Sequence, residues 1–247
     1  MISMRFGKVK TMIFYICLYL YGRIKGYNVC RSGNKIIVKT PFGEIAVNME
    51  DIILLKVLRE PLEDMVSCVD INDSIIVDIG AYLGETALLF LSKGAKKVYA
   101  LEPVGRHYNY LIENIARNNA EDKIVPLKYG AWFRDTVVNV SYMDDGTGLR
   151  TTGNKQIAMQ MKDLNDILTT IYNEEGRINL VKMDCEGCEY SLLKLDNKIV
   201  SLAEQYIIET HGPETPILDK MAGCGYDAKL IRRIGKWIAI YLFKRHN

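Results

Sequence analysis

The stretch Val77-Asp78-Ile79-Gly80-Ala81-Tyr82-Leu83-Gly84-Glu85-Thr86 decides the fold. Upstream, Ser74–Ile79 reads as a buried strand, with Ile75, Ile76, Val77 and Ile79 apolar. Downstream, Glu85–Ser92 reads as a helix that Gly94 stops. Between them the glycines let the backbone turn sharply and approach a ligand closely. Free N–H groups at the helix start favour an anionic ligand group. The spacing is not G-x-G-x-x-G, because Ala81, Tyr82 and Leu83 fill the interval between Gly80 and Gly84. No Gly-Lys-Ser/Thr follows, so it is not a P-loop. Ordinary βα turns also use glycine, so the turn alone assigns no ligand.

Reading outward, the chain keeps alternating. Lys97–Leu101 is the next predicted strand, Arg106–Asn118 a helix and Lys123–Leu127 a third strand. Val137–Tyr142 adds a β-segment, and Asp144–Gly153 a polar, Gly-rich loop. Then come helix Asp163–Tyr172, strand Ile178–Met183, helical Tyr190–Lys194, strand Gln205–Thr210 and helix Pro216–Gly223. Two late β-runs, Lys229–Ile234 and Trp237–Phe243, close the chain. The pattern predicts an α/β fold: a Rossmann-like, doubly wound, mainly parallel sheet with an antiparallel C-terminal edge hairpin. Residues 1–70 read differently. An aromatic-rich helix, a hairpin from Lys35–Lys39 and Glu44–Val47, and helically spaced Met49–Leu58 predict a small N-terminal cap. The main domain is expected at 71–247.

The 247 residues suit one large α/β domain with a small addition. Apolar residues make up 49% and charged residues 25%. That excludes disordered, collagen-like and multi-span membrane chains. A net charge of +2 gives no general nucleic-acid signal. Cys17, Cys30, Cys68, Cys185, Cys188 and Cys224 are too dispersed for a disulfide framework. Free thiols in a reducing, cytoplasmic setting are the expectation. Basic Arg5, Lys8 and Lys10 precede an apolar run from Met12 to Tyr21. Ten residues are too few to span a bilayer, which takes about 20, and no signal-peptidase site follows. The run is expected to pack on the domain or a partner chain, with peripheral membrane contact as the alternative.

Three strand ends carry chemistry. Glu102, in Ala100-Leu101-Glu102-Pro103, stands where an acidic residue accepts both ribose hydroxyls. Met183-Asp184-Cys185-Glu186-Gly187-Cys188-Glu189 sets three carboxylates outside a strand's carboxyl end, where open α/β sheets bind ligands. Helix capping would use the same residues. Glu209-Thr210-His211-Gly212 adds a carboxylate and one of only three histidines.

VDIGAYLGETA, then ALEP, then Glu113-Asn114-Ile115, then KMDCEGCEY and IIETHG together resemble the FkbM-type methyltransferases, from about Ser74 to Tyr226. The resemblance implies S-adenosylmethionine as cofactor. Asp78, Gly80 and the turn through Ala81, Tyr82, Gly84, Glu85 and Thr86 would hold its methionine end. Glu102, with Pro103 behind it, would bind the ribose, and Gly130-Ala131-Trp132 would lie near the adenine. Asp184 would sit between cofactor and acceptor. Asp184, Glu186 and His211 are the catalytic candidates, with His211 or Asp184 as general base. The family commonly has small or aliphatic residues at Cys185 and Cys188, which therefore read as packing residues.

The reading is O-methylation of a hydroxyl on a sugar, glycan, lipid-linked or other small acceptor. Nucleic acid is not expected, and oligomerisation is left open. Alternatives are a cofactor-binding scaffold without catalysis and a nicotinamide-dependent oxidoreductase. Asp184, Glu209 and His211 could offer divalent-metal donors, but three ligands are weak support and no metal is assigned.

Overall fold

The computed structural model describes residues 2–60, 62–142 and 155–246. Helix α1 (Ile2–Lys25) leads into strands β1 (Asn28–Ser32), β2 (Lys35–Thr40) and β3 (Gly43–Asn48), which form an antiparallel sheet in that order. A 3-10 helix, Met49–Arg59, and α2 (Leu62–Val66) follow. The alternating part comprises β4 (Ile75–Ile79), α3 (Glu85–Ser92), β5 (Lys97–Leu101), α4 (Gly105–Arg117) and β6 (Ile124–Leu127). Next come β7 (Gly130–Trp132), β8 (Thr136–Tyr142) and β9 (Lys155–Asp163). The chain ends with α5 (Leu164–Glu175), β10 (Ile178–Met183), a 3-10 helix at Cys188–Lys194, α6 (Asn197–Val200), β11 (Ala203–His211), α7 (Thr215–Gly223), β12 (Tyr226–Ile234) and β13 (Ile238–Arg245).

The main sheet has seven strands in the order β12-β13-β11-β10-β4-β5-β6. The five strands from β11 to β6 are parallel, and the C-terminal hairpin adds antiparallel β13 and β12 at the edge. This is the Rossmann-like arrangement the alternation predicts. Its strand order reverses between β4 and β10, which opens a crevice at their carboxyl ends.

Period-two alternation splits the core into two layers. Ile76, Val98, Ala100, Leu180 and Ile207 face one side, against Leu88 and Phe90 of α3 and Leu111 of α4. Ile75, Val77, Tyr99, Val181 and Ile208 face the other, against Leu168 of α5 and Ile217 and Met221 of α7. The N-terminal sheet joins the first layer through Ile36, Val38, Ile45 and Val47.

Several elements differ from the sequence reading. The N-terminal hairpin gains a third strand, β1, because Asn28–Ser32 pairs along β2 despite its polar composition. The helical runs at 49–58 and 190–194 are 3-10 turns. Val137–Tyr142 is not an isolated segment. It pairs with β9, which no turn signal marks, and β7 completes a small second layer over the crevice. The Gly-rich loop expected at 144–153 lies outside the described residues.

One buried side chain ties these parts together. The Asn114 Nδ2 group donates to the Leu83 carbonyl in the β4–α3 turn (2.9 Å). Its Oδ1 accepts from the Ala46 N–H of β3 (2.9 Å). Asn114 is fully buried. Replacing it by leucine keeps volume but strands both backbone groups away from water. Asn114→Leu should cost about 2–6 kcal/mol, since each of the two stranded buried groups costs roughly 1–3. Urea denaturation of wild type and variant measures this, and a change below about 0.5 kcal/mol would contradict the bridging role.

Candidate active site at the strand switch point

A cavity of about 1040 Å³, counted out through its open mouth, occupies the crevice. Gly80 forms its floor at φ +83. A Cβ built there would stand 1.9 Å from the Asp184 carbonyl oxygen, so only glycine lets the two strand ends approach. The Gly80 and Ala81 N–H groups both donate to the Leu101 carbonyl, folding the turn back over β5.

Glu102, at the end of β5, is buried against this turn. Its Oε2 accepts from the Tyr82 N–H (3.0 Å) and its Oε1 from the Val104 N–H (2.7 Å). Each carboxylate oxygen keeps a second lone pair for a ligand hydroxyl.

A buried ammonium lies beneath the floor. Lys182 Nζ sits 3.2 Å from Asp78 Oδ1 and donates to the Gly80 carbonyl (2.9 Å). Burial works against its charge, but Asp78, Asp184 and Glu85 outweigh that and hold the ammonium above its ordinary range. Thr86 Oγ1 donates to the other Asp78 oxygen (2.6 Å). Asp78 is thus engaged on both oxygens and does not line the cavity.

Of the residues named from the sequence, Gly80, Tyr82, Glu85, Glu102, Pro103, Gly130, Ala131, Asp184 and Glu186 line the cavity. Asp78, Ala81, Gly84, Thr86, Trp132 and His211 do not. Trp132 packs against Phe133 and the core below instead. The sequence reading missed Lys56 and Val57 from the 3-10 helix, Glu60 just after it, Val104 and His107 from α4's start, and Met159 and Met161 from β9. No local motif marks these seven; the N-terminal segment and the small sheet are folded over the crevice from a distance.

Glu85 is buried and lines the cavity. Burial pushes its carboxyl up to about 8. Asp184 is pushed up to about 6, chiefly by burial, with Glu209 and Glu186 adding to the rise and Lys182 and His211 opposing it. Glu60 stands at the rim, where desolvation by the wall beneath it, then Asp184 and Glu209, bring it to about 7.

The expectation that His211 serves as a base meets a different environment. Its Nε2 is 3.5 Å from Glu209, 3.8 Å from Asp184 and 4.0 Å from Glu186, and its Nδ1 is 3.4 Å from Glu189. Burial opposes a charge there, yet the contacts with Glu189 and Glu209 raise the imidazole to about 11. It is an imidazolium at neutral pH and has no lone pair with which to take a proton. One donor atom each from Asp184, Glu209 and His211 fall within 4.8 Å of one another. Metal ligation there would need the imidazole neutral.

The two packing cysteines are corrected too. Cys185 and Cys188 form a disulfide. Glu186 (φ +55) and Gly187 (φ +113) both turn left-handed, which folds the C-x-x-C ends onto each other. Cys17, Cys30, Cys68 and Cys224 are free.

Residues 78–228 match the sequence model of the FkbM methyltransferase domain. The chain belongs to the FkbM methyltransferase family. No curated protein compared with this FkbM chain matches it. Among solved structures, M. jannaschii TYW2 in complex with AdoMet is 15% identical, with 88% of this chain and 89% of that one covered and a TM-score of 0.50. M. capricolum TrmK with S-adenosyl-homocysteine is 14% identical over 74% and 67% of the two chains, with a TM-score of 0.45. At 15% identity the likeness to TYW2 is one of fold, the Rossmann-like arrangement.

Two expectations follow from the site. A folded-state carboxyl near 8 at Glu85 holds its proton while the unfolded chain, near 4.5, releases it. The stability it contributes is complete below about 4.5 and is lost as pH rises through about 8. Glu85→Gln should therefore lose less stability than wild type between those limits, as chemical denaturation at stepped pH would show; parallel curves would refute the assignment. Separately, denatured but unreduced protein should take up four alkyl groups, and six after reduction, by intact mass. Six without reductant would dismiss the disulfide.

Proposed function

We propose that this FkbM chain transfers a methyl group from S-adenosylmethionine to a hydroxyl oxygen of a sugar, glycan, lipid-linked or other small acceptor. The observation that carries the proposal is that Asp184 lines the same cavity as the Gly80 turn and Glu102. The residues present fit the cofactor. The side-chain-free floor at Gly80 admits a close-lying ligand, and the spare lone pairs of Glu102 suit a ribose diol. Gly130, Ala131, Met159 and Met161 supply a low, apolar wall suited to an adenine ring. S-adenosylmethionine, when bound, supplies an electrophilic methyl group on a sulfonium.

The chain's own contribution is positioning and proton removal. Asp184 is ionised at neutral pH, and its raised carboxyl makes it a stronger base than an ordinary aspartate. Its carboxylate takes the acceptor's hydroxyl proton. His211, as an imidazolium, is a positioning residue: it holds Asp184 in place and opposes the rise of its carboxyl. Glu60 and Glu186 give the mouth an acidic rim.

Titration with S-adenosylhomocysteine and NAD tests the cofactor, and only the former should bind. Glu102→Ala, checked for folding, should weaken S-adenosylhomocysteine binding by about 10- to 100-fold, the loss of charge-assisted hydrogen bonds. Unchanged affinity would remove Glu102 from the site. Asp184→Asn should lower turnover about 10²–10⁴-fold. Wild-type kcat/KM should fall as pH drops below about 6, and His211→Gln should move that limb to higher pH by removing a positive charge beside Asp184. A limb that stays in place would discard the His211 role.

A further inference from the structure

Helix α1 carries an apolar face that nothing among the described residues covers. Its inward side is settled. Leu18 is buried, Phe14 and Tyr15 pack on the first core layer, and Gly22 passes so close to β1 that a Cβ would meet Val29 at 2.9 Å. On the outer side Met12, Ile13, Ile16, Tyr19, Leu20 and Ile24 are exposed, Ile24 at 83%. At about 100° per residue these six fall within an arc of roughly 140°, a stripe along the helix that exposed Arg23 shares near its C-terminal end. The helix sequence also carries Arg5, Lys8, Lys10, Arg23 and Lys25 and no acidic residue. Among the described residues no helix is long and apolar enough to cross a membrane.

We infer that α1 lies in the surface of an anionic lipid membrane, its apolar stripe among the acyl chains, with the exposed Arg23 and Lys25 side chains reaching the headgroups. An exposed apolar stripe on a helix that is basic without acidic compensation is the pattern of an interfacial helix. Charge decides against a second copy of the chain as occupant. The helix sequence carries five basic residues and no acidic one, so two such helices brought together would add like charges with no helix carboxylate to offset them. Anionic headgroups neutralise them all. Attachment also bears on the cavity. Helix α1 packs on the 3-10 helix Met49–Arg59, and that same helix contributes Lys56 and Val57 to the cavity wall. The membrane-facing helix and the cavity are thus joined through one shared element.

The test is flotation of the full chain with vesicles. Vesicles of phosphatidylcholine mixed with phosphatidylglycerol should carry the protein, and pure phosphatidylcholine at least tenfold less of it. High salt should release it. Ile16→Asp/Leu20→Asp should lose about tenfold or more of the partition while thermal midpoint and S-adenosylhomocysteine affinity stay at wild-type values. Ile24→Asp, at the most exposed position, should show the same direction if the double variant folds poorly. Absence of anionic-vesicle binding overturns the inference, and so does equal partition of the variants. A lipid-free dimer that the same substitutions dissolve also overturns it and assigns the stripe to a second copy. The S-adenosylhomocysteine titration stands apart, so failure here leaves the methyl-transfer reading untouched.

Discussion

The ammonium of Lys182 is the constraint on which the site rests. Lys182 and Asp78 are register partners on the two central strands, so their side chains leave the sheet on the same face. The ion pair is almost wholly removed from water. A buried charge left without its partner typically costs about 3–5 kcal/mol. The strand ends are therefore held in one register. That register brings the Gly80 backbone against the Asp184 carbonyl, which only a residue without Cβ tolerates.

The carboxylates then divide by environment. Glu189 is buried and committed to backbone N–H groups: Gly187 on one oxygen and His211 on the other, each at 2.8 Å. Glu102 bridges the turn and the start of α4, yet keeps a face to the cavity. Among the described residues Asp184 has no backbone donor of this kind, and it stands between an ammonium and an imidazolium. The same functional group thus yields two braces and one group poised near neutrality, which is how burial and neighbours sort acids from bases.

The N-terminal segment does more than cover apolar surface. Through Ala46, Glu44 and Asn48 its β3 strand hydrogen-bonds to Asn114, Asn118 and Tyr110 of α4. Its 3-10 helix closes one side of the cavity. One wall of the cavity is therefore built partly by residues outside the matched FkbM segment, at a sequence distance no motif spans.

By itself the sequence determined the alternating elements, the switch-point turn and the strand-end acids. Apolar periodicity, glycine punctuation and strand ends are local properties, and Ile75–Ile79, Gly80 and Glu102 display them within a few residues. Tertiary structure alone decided the rest. Strand β1 is polar and forms only because β2 offers an edge. Glu60, Met159 and Met161 reach the cavity through long-range packing. Cys185 and Cys188 meet because two consecutive residues adopt left-handed backbone, a state composition does not encode. His211 looked like a base as a lone histidine at a strand end. Four carboxylates converging from the β10–α6 connection and β11 make it an imidazolium, because charge state follows the field of neighbours that only folding assembles.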